Sequence, residues 1–112
     1  MKLAIIGSRG IKNINFSKYI SENVTEIVSG GAKGVDTLAR EFALSKKIKL
    51  TEFIPDYKRY GKAAPLMRNL SIIEYSDSVI AFWDGHSKGT KFVIENCKKS
   101  NKPIVIITMD IK

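Results

Sequence analysis

Residues 29–36, Ser-Gly-Gly-Ala-Lys-Gly-Val-Asp, combine the residue types that bind phosphate groups. The stretch follows a short apolar strand candidate at 26–28 and precedes an amphipathic helix candidate that begins near Val35. A glycine-rich turn exposes backbone N–H groups, and the helix N-terminus adds a partial positive charge. Lys33 adds a mobile cation. The stretch therefore predicts an anion site in which backbone amides of Gly30, Gly31 and Gly34 hold a phosphate.

Two other loops place glycine and polar side chains at the ends of apolar strand candidates. Gly7-Ser8-Arg9-Gly10 follows residues 3–6, and the loop at 84–90 follows residues 78–83. In a parallel sheet all three loops face one edge, where open α/β sheets bind ligands. Each loop alone is weak evidence, because glycine commonly turns a strand into a helix. Together they favour a phosphate or nucleotide site, although neither a Walker A nor a dinucleotide Gly-x-Gly-x-x-Gly spacing is present.

Two arginines stand close to these loops in a chain that is poor in arginine. Arg9 lies in the first loop, and Arg68 lies near the start of a later helix candidate, followed by Asn69. A guanidinium binds a phosphate through two parallel hydrogen bonds, whereas an exposed one commonly makes a surface salt bridge. Asp36 also has two interpretations. It can cap its helix or accept a hydrogen bond from a ribose hydroxyl, and capping is the commoner role.

The loop after the fourth strand contributes the remaining candidates. Asp84 ends a buried strand, and Ser87 and Thr90 can donate to a phosphate or cap the last helix. His86 has no evident partner and is interpreted as a loop residue. No metal-ligand cluster, nucleophile–base pair or cofactor motif is visible, so no catalytic residue is named. The predicted ligand-binding residues are Gly7, Ser8, Arg9, Gly30, Gly31, Lys33, Gly34, Asp36, Arg68, Asn69, Asp84, Ser87, Gly89 and Thr90.

Apolar runs and helical spacings alternate along the chain. Strand candidates occur at 3–6, 26–28, 48–54, 78–83 and 103–108. Helix candidates occur at 16–24, from 35, from 65 and at 90–99. Short connections and right-handed crossovers then predict an α/β fold with a five-stranded parallel sheet and helices on both faces.

The bulk composition predicts one soluble domain spanning residues 1–112. Hydrophobic residues make up 44% of the chain, which is enough to form a core. No signal segment or membrane span is visible, and the single cysteine, Cys97, falls on the apolar face of a helix candidate. A cytoplasmic location without a membrane partner is the expectation. The net charge of +8 raises the possibility of nucleic acid as a partner, but the lysines are spread along the chain, which favours a solvated surface.

Several stretches, taken in order, resemble the SLOG superfamily. This group includes the Smf/DNA-processing protein A proteins and the Lonely Guy (LOG) phosphoribohydrolases. The resemblance begins with Ala-Ile-Ile-Gly-Ser-Arg at 4–9 and Val-Ser-Gly-Gly-Ala-Lys-Gly-Val-Asp at 28–36. Later stretches are similar to the YspA-like branch of the superfamily, and they lie at 55–57, 60–64, 68–69 and 81–90. The resemblance thus covers nearly the whole chain.

The resemblance implies a Rossmann-like three-layer sandwich with a pocket for a nucleotide or nucleotide-derived ligand, ADP-ribose-like molecules among them. It places seven of the candidates in the first two ligand loops: Gly7, Ser8, Arg9, Gly30, Gly31, Gly34 and Asp36. Arg68 matches an arginine of the LOG pattern, and Gly89-Thr90 match its Gly-Thr. The glutamate that follows three residues later in LOG proteins is Val93 here, and Glu95 is out of step. The LOG catalytic acid therefore has no counterpart at its position.

The leading hypothesis is that the chain binds a nucleotide-derived small molecule, which it senses or processes, with Tyr57 or Tyr60 covering a base. One alternative is a LOG-like phosphoribohydrolase acting on a nucleoside monophosphate, for which Asp84 and Glu95 are the candidate carboxylates. A second alternative is Smf-like binding of single-stranded DNA, which would depend steeply on salt. LOG relatives form dimers, so a homo-oligomer is a further option by analogy.

Overall fold

The computed structural model of the chain describes residues 1–109. Five parallel strands form one sheet in the order β3-β2-β1-β4-β5. The strands are β1 (Lys2–Gly7), β2 (Glu26–Ser29), β3 (Lys49–Glu52), β4 (Ser78–Trp83) and β5 (Ile104–Thr108). The helices are α1 (Val35–Ser45), α2 (Tyr57–Tyr60), α3 (Ala64–Tyr75) and α4 (Lys88–Lys99). The predicted five-stranded parallel sheet is confirmed.

Helices cover both faces of this sheet. Successive side chains of a strand point to opposite faces, so an apolar strand packs against helices on each side. Leu3 and Ile5 of β1 belong to a core cluster with Val35 and other residues of α1. Ala4 and Ile6 belong to a second cluster, which contains residues of α3 and α4, including the fully buried Cys97. The three-layer arrangement predicted for the chain is therefore present.

The segment at 16–24 differs from the predicted α-helix. Only a 3₁₀ turn forms there, at Phe16–Lys18. Phe16 is buried against Phe42 and Phe82, so its apolar position is explained by packing. Beyond it the chain is held beside the start of β1, where the Met1 amino group donates to the Asn23 carbonyl oxygen over 3.0 Å. This tertiary contact competes with further helical turns.

The topological switch of the sheet lies between β1 and β4. The chain continues from β1 toward β2 and β3 on one side, and from β4 toward β5 on the other. The backbone N–H of Ser8 donates to the Phe82 carbonyl oxygen over 3.0 Å, which keeps the ends of these two strands together. The loops after both strands therefore open on the same crevice. Within residues 1–109, none of the helices is long and apolar enough to span a bilayer.

Candidate functional site

A cavity of about 420 Å³ opens at the carboxyl ends of the central strands. It brings together most of the predicted ligand-binding residues: Gly7, Arg9, Gly30, Lys33, Asp36, Arg68, Asn69, Asp84, Ser87, Gly89 and Thr90. Its wall also contains residues that sequence reasoning missed: Ile6, Gly10, Ala32, Pro65 and Leu66. In the sequence, Pro65 is a signal for the start of a helix. Pro65 lies one helical turn before Arg68, so the two residues share a face of the helix. This spacing could have indicated that Pro65 also lines the cavity.

Three helices begin at this cavity. Asp36 lies in the first turn of α1, Pro65 and Leu66 lie in the first turn of α3, and Gly89 lies in the first turn of α4. The N-termini of α1 and α4 carry a partial positive charge from their unpaired N–H groups. At the start of α3 the Ala64 N–H donates to the Gly61 carbonyl oxygen, and Pro65 has no N–H. The N-termini of α1 and α4 make the cavity favourable for an anion.

The predicted residues Ser8, Gly31 and Gly34 do not line the cavity. Gly34 has φ of 77°, and a Cβ on it would lie 2.5 Å from the backbone oxygen of Arg9. That glycine therefore allows the loops after β1 and β2 to touch, and its role is packing. Gly31 donates its backbone N–H to the Ser29 hydroxyl oxygen over 3.3 Å.

Arg68 reaches from α3 across to the loop after β2. Its Nη1 donates to the Gly30 carbonyl oxygen over 2.6 Å, and its Nε donates to Asn69 Oδ1 over 2.8 Å. Burial lowers the pKa of the Arg68 guanidinium, while the charge of nearby Asp36 opposes this shift. Its Nη2 makes no hydrogen bond to any residue in the described part of the chain. Two hydrogen bonds thus hold the Arg68 side chain in place, and its Nη2 group stays available to a ligand.

Asp36 is turned into its own loop. It is 8% exposed, and its Oδ2 accepts from the Ala32 backbone N–H over 3.0 Å. Burial is the main cause that raises the pKa of Asp36, and the hydrogen bond from Ala32 and the charge of Arg68 act in the opposite direction. The carboxylate therefore occupies an amide that a phosphate would otherwise use. It also places negative charge on one wall of the cavity.

Asp84 organises the loop after β4. Its Oδ1 accepts from the backbone N–H groups of His86 over 2.7 Å and Ser87 over 2.8 Å. These two hydrogen bonds lower the pKa of Asp84, since they stabilise its ionised form. Its own N–H donates to the Ser8 hydroxyl oxygen over 3.2 Å. Asp84 and Ser8 therefore have a structural role, which residue types alone leave open.

Ser87 is the N-cap of α4, and Thr90 is its partner. The Ser87 hydroxyl oxygen accepts from the Thr90 N–H over 3.3 Å, and the two hydroxyls lie 3.1 Å apart. Of the two roles considered, Ser87 takes the capping role, and Thr90 provides the N–H that the cap accepts. Both residues also line the cavity.

The cavity carries an excess of positive charge. Arg9, Lys33 and Arg68 line it, against the two carboxylates Asp36 and Asp84. Ion pairs within residues 1–109 lie elsewhere, at Arg40–Glu52, Lys49–Glu26 and Lys91–Glu95. The surface salt bridges considered for Arg9 and Arg68 do not form within that range. Neither guanidinium group has a carboxylate oxygen of residues 1–109 within 4 Å.

The groups considered for catalysis are not assembled within residues 1–109. Glu95 is exposed and lies 4.0 Å from the Lys91 amino group, outside the cavity lining. Val93, at the position of the LOG glutamate, is fully buried in the core. Tyr57 and Tyr60 are also absent from the cavity wall. In the same range, no group of three or more His, Cys, Asp or Glu side chains is placed to hold a metal ion.

Comparison with known proteins gives one match. Residues 1–60 match YAcAr, described as the YspA, cpYpsA-related SLOG family. Searches of curated proteins and of solved structures returned no match. The matched residues run from β1 through α2, so they contain the loops after the first two strands and more than half of the chain. The chain therefore belongs to the YspA, cpYpsA-related SLOG family.

Proposed function

We propose that the chain binds a nucleotide or a nucleotide-derived ligand, such as ADP-ribose or a nucleoside phosphate, in the cavity at the carboxyl edge of the sheet. The observation that carries this proposal is the set of three cations, Arg9, Lys33 and Arg68, facing one cavity without an ion-pair partner among residues 1–109. Family membership supports a nucleotide-related role. The N-termini of α1 and α4 at the cavity add to the attraction for phosphate.

The phosphate is assigned to side-chain cations and to the start of α4. The amides of Gly31 and Ala32 are already engaged by Ser29 and Asp36, so they are poor candidates for holding it. Arg9 and Lys33 supply mobile charge, and Gly89 keeps the first turn of α4 open to close approach. This differs from the arrangement expected from the sequence, in which the glycine amides of the second loop hold the phosphate.

The polar groups deeper in the cavity are assigned to the ribose or to a second phosphate. Asn69 is 8% exposed, and its Oδ1 already accepts from Arg68. Its Nδ2 makes no hydrogen bond within the described residues, so it offers donors to a ligand. Asp36 offers the complementary acceptor for a hydroxyl group. Such a pair suits the mixed donors and acceptors of a sugar.

Binding is favoured over cleavage of an N-glycosidic bond. The two cavity carboxylates, Asp36 and Asp84, both accept hydrogen bonds from their own loops. A general acid or base must also reach the scissile bond. The hydrogen bonds from the backbone N–H groups of His86 and Ser87 hold the Asp84 carboxylate against its own loop, which disfavours that role. The buried Val93 removes the catalytic acid that the LOG comparison would require.

Calorimetric titration with AMP, ADP-ribose, NAD and cyclic nucleotides tests the proposal. We expect at least one of them to bind, and we expect Arg9→Ala to weaken binding at least about tenfold, because an exposed cation at the cavity is lost. Lys98→Ala, which removes an exposed cation that lines neither this cavity nor a neighbouring pocket, is the control. Absence of binding by every compound at millimolar concentration would overturn the proposal. Chromatography of the incubated ligands separates binding from turnover.

A further inference from the structure

A smaller pocket lies beside the main cavity, between the chain leaving β3 and helix α3. Its volume is about 120 Å³. We call it the side pocket, and it is lined by Phe53, Ile54, Asp56, Tyr60, Met67, Arg68 and Ser71. Arg68 belongs to the lining of both the side pocket and the main cavity. The Arg68 side chain is therefore a wall that the two pockets have in common.

The side pocket has the chemistry of an aromatic binding site. Two aromatic rings, Phe53 and Tyr60, and the flexible thioether of Met67 form its walls. Such groups pack well against the flat faces of a ring system. Arg68 adds a planar guanidinium, which also stacks on aromatic rings.

Exposed apolar side chains line both pockets. Ile54 is 67% exposed and lines the side pocket, whereas Leu66 is 41% exposed and lines the main cavity. The Cδ1 atom of Ile54 lies 2.9 Å from the position of a Cβ on Gly31, so this side chain covers the loop after β2. Each pocket therefore offers some exposed apolar surface beside its polar groups.

The size of the side pocket restricts what it can take. An apolar cavity of about 150 Å³ accepts a benzene ring. At 120 Å³ and open on one side, the side pocket fits one flat ring system that is partly inserted. A sugar with its phosphate would leave several polar atoms against Phe53, Ile54 and Met67, which is unfavourable.

We propose that the side pocket is the nucleobase subsite of the chain, with Arg68 lying between the base and the phosphate. This inference rests on the proposed function, since it assumes that a nucleotide phosphate occupies the main cavity. In this arrangement the base packs against Phe53, Tyr60 and Met67. The exposed Tyr57 does not line the side pocket and does not contact the base.

The first test compares a ligand that has a base with one that lacks it. We expect AMP to bind the wild-type chain at least about tenfold more tightly than ribose 5-phosphate, because base stacking adds to the phosphate contacts. Ser71→Leu adds bulk at an exposed position of α3 that faces the side pocket. This variant should reduce the affinity for AMP to that for ribose 5-phosphate, and it should leave ribose 5-phosphate binding unchanged. Ser45→Leu, the same substitution at an exposed serine of α1 that lines neither pocket, is the matched control.

A second measurement does not depend on a variant. The chain contains three methionines, Met1, Met67 and Met109, and Met67 alone lines the side pocket. With ¹³C-labelled methionine methyl groups, AMP should shift the Met67 signal through the ring current of its base. Ribose 5-phosphate should not shift it, and the Met1 and Met109 signals serve as internal references.

The outcomes separate the two proposals. If AMP and ribose 5-phosphate bind equally well and the Met67 signal does not move, the base subsite is refuted while nucleotide-phosphate binding stands. The same holds if Ser71→Leu weakens both compounds equally. If none of AMP, ADP-ribose, NAD and the cyclic nucleotides binds, the proposed function is overturned, and the subsite is overturned with it.

Discussion

The Arg68 guanidinium donates to the Gly30 carbonyl oxygen across 2.6 Å, joining residues that lie 38 positions apart. A Cβ on Gly30 would lie 2.6 Å from Arg68 Nη1, so the contact requires glycine at position 30. The contact fixes α3 against the loop after β2 and places one cation between the main cavity and the side pocket. The geometry of the candidate site therefore depends on this pair.

Gly30→Ala should displace Arg68 without unfolding the chain, because the new methyl group meets the far end of a flexible side chain. We expect AMP affinity to fall about tenfold and the free energy of unfolding to fall by about 1–2 kcal/mol, as one charged hydrogen bond is lost. Calorimetry and urea denaturation measure the two quantities.

A double-mutant cycle isolates the cause of that loss. In an Arg68→Ala background, Gly30→Ala should have little further effect on AMP binding, since the group that the methyl meets is gone. Additive losses in the double variant would show that Gly30 acts independently of Arg68.

The sheet and the helices α1, α3 and α4 could be predicted because each has a local signal. Buried parallel strands are continuous apolar runs, and Val35, Ala39 and Ala43 recur at helical spacing and are fully buried. The segment at 16–24 has the same kind of spacing. The helix prediction is wrong there: only Phe16–Lys18 form a 3₁₀ turn, and Asn23 and Thr25 make hydrogen bonds to Met1, far away in sequence.

The site could be predicted as a set of loops but not as a set of contacts. Parallel topology alone brings the loops after β1, β2 and β4 to one edge. The hydrogen bond between Arg68 and Gly30 depends on how α3 packs, and no spacing in the sequence encodes it. For the same reason, the sequence assigns Gly34 to the ligand, although its backbone lies against Arg9.

Asp36 should make anion binding depend on pH. Burial raises the pKa of Asp36 above its usual value of 3.8, so this carboxyl takes up a proton at a higher pH than an exposed aspartate does. Sulfate keeps its charge over this range, and we expect its affinity to rise as pH falls and Asp36 becomes neutral. Asp36→Asn should bind sulfate about three- to tenfold more tightly at pH 7, because one repulsive charge is removed.

The control for this prediction is the pH dependence of Asp36→Asn itself. Titrations with sulfate from pH 7 to pH 4 should give a flatter profile for the variant than for the wild-type chain. Arg68 and Glu52 act on the same carboxyl, and neither is altered by this substitution. Parallel profiles would show that another group controls the response.

Gly34 and Gly89 should respond to alanine with opposite signs. Gly34 has φ of 77° and lies against the Arg9 backbone, so Gly34→Ala should cost more than about 2 kcal/mol of stability. Gly89 lies within α4, and a Cβ added there would meet no atom of residues 1–109 within 4 Å. Gly89→Ala should therefore stabilise the chain by up to about 1 kcal/mol. Thermal and urea denaturation of both variants measure this contrast. Equal losses would mean that backbone strain at Gly34 is not what sets the cost.

The Glu26–Tyr75 contact should control acid stability without affecting the site. The Tyr75 hydroxyl donates to Glu26 Oε2 over 2.5 Å, at the amino end of β2 and away from the cavity. This hydrogen bond is the main cause that lowers the pKa of Glu26 below its usual 4.5, and burial opposes it. As pH falls, the unfolded chain therefore takes up the proton first. The stabilisation is present above pH 4.5 and is lost as pH falls through the folded-state pKa.

Tyr75→Phe should lower the free energy of unfolding by about 1–2 kcal/mol at pH 7, because a hydrogen bond to a buried carboxylate is removed. The difference from the wild-type chain should shrink below pH 4.5, where Glu26 becomes protonated. Urea denaturation at pH 7, 5, 4 and 3 measures it. Tyr19→Phe is the matched control, since the Tyr19 hydroxyl makes no hydrogen bond within residues 1–109 and its ring packs on Phe82. A loss for Tyr75→Phe that stays constant down to pH 3 would show that the hydroxyl acts through packing and not through the charge of Glu26.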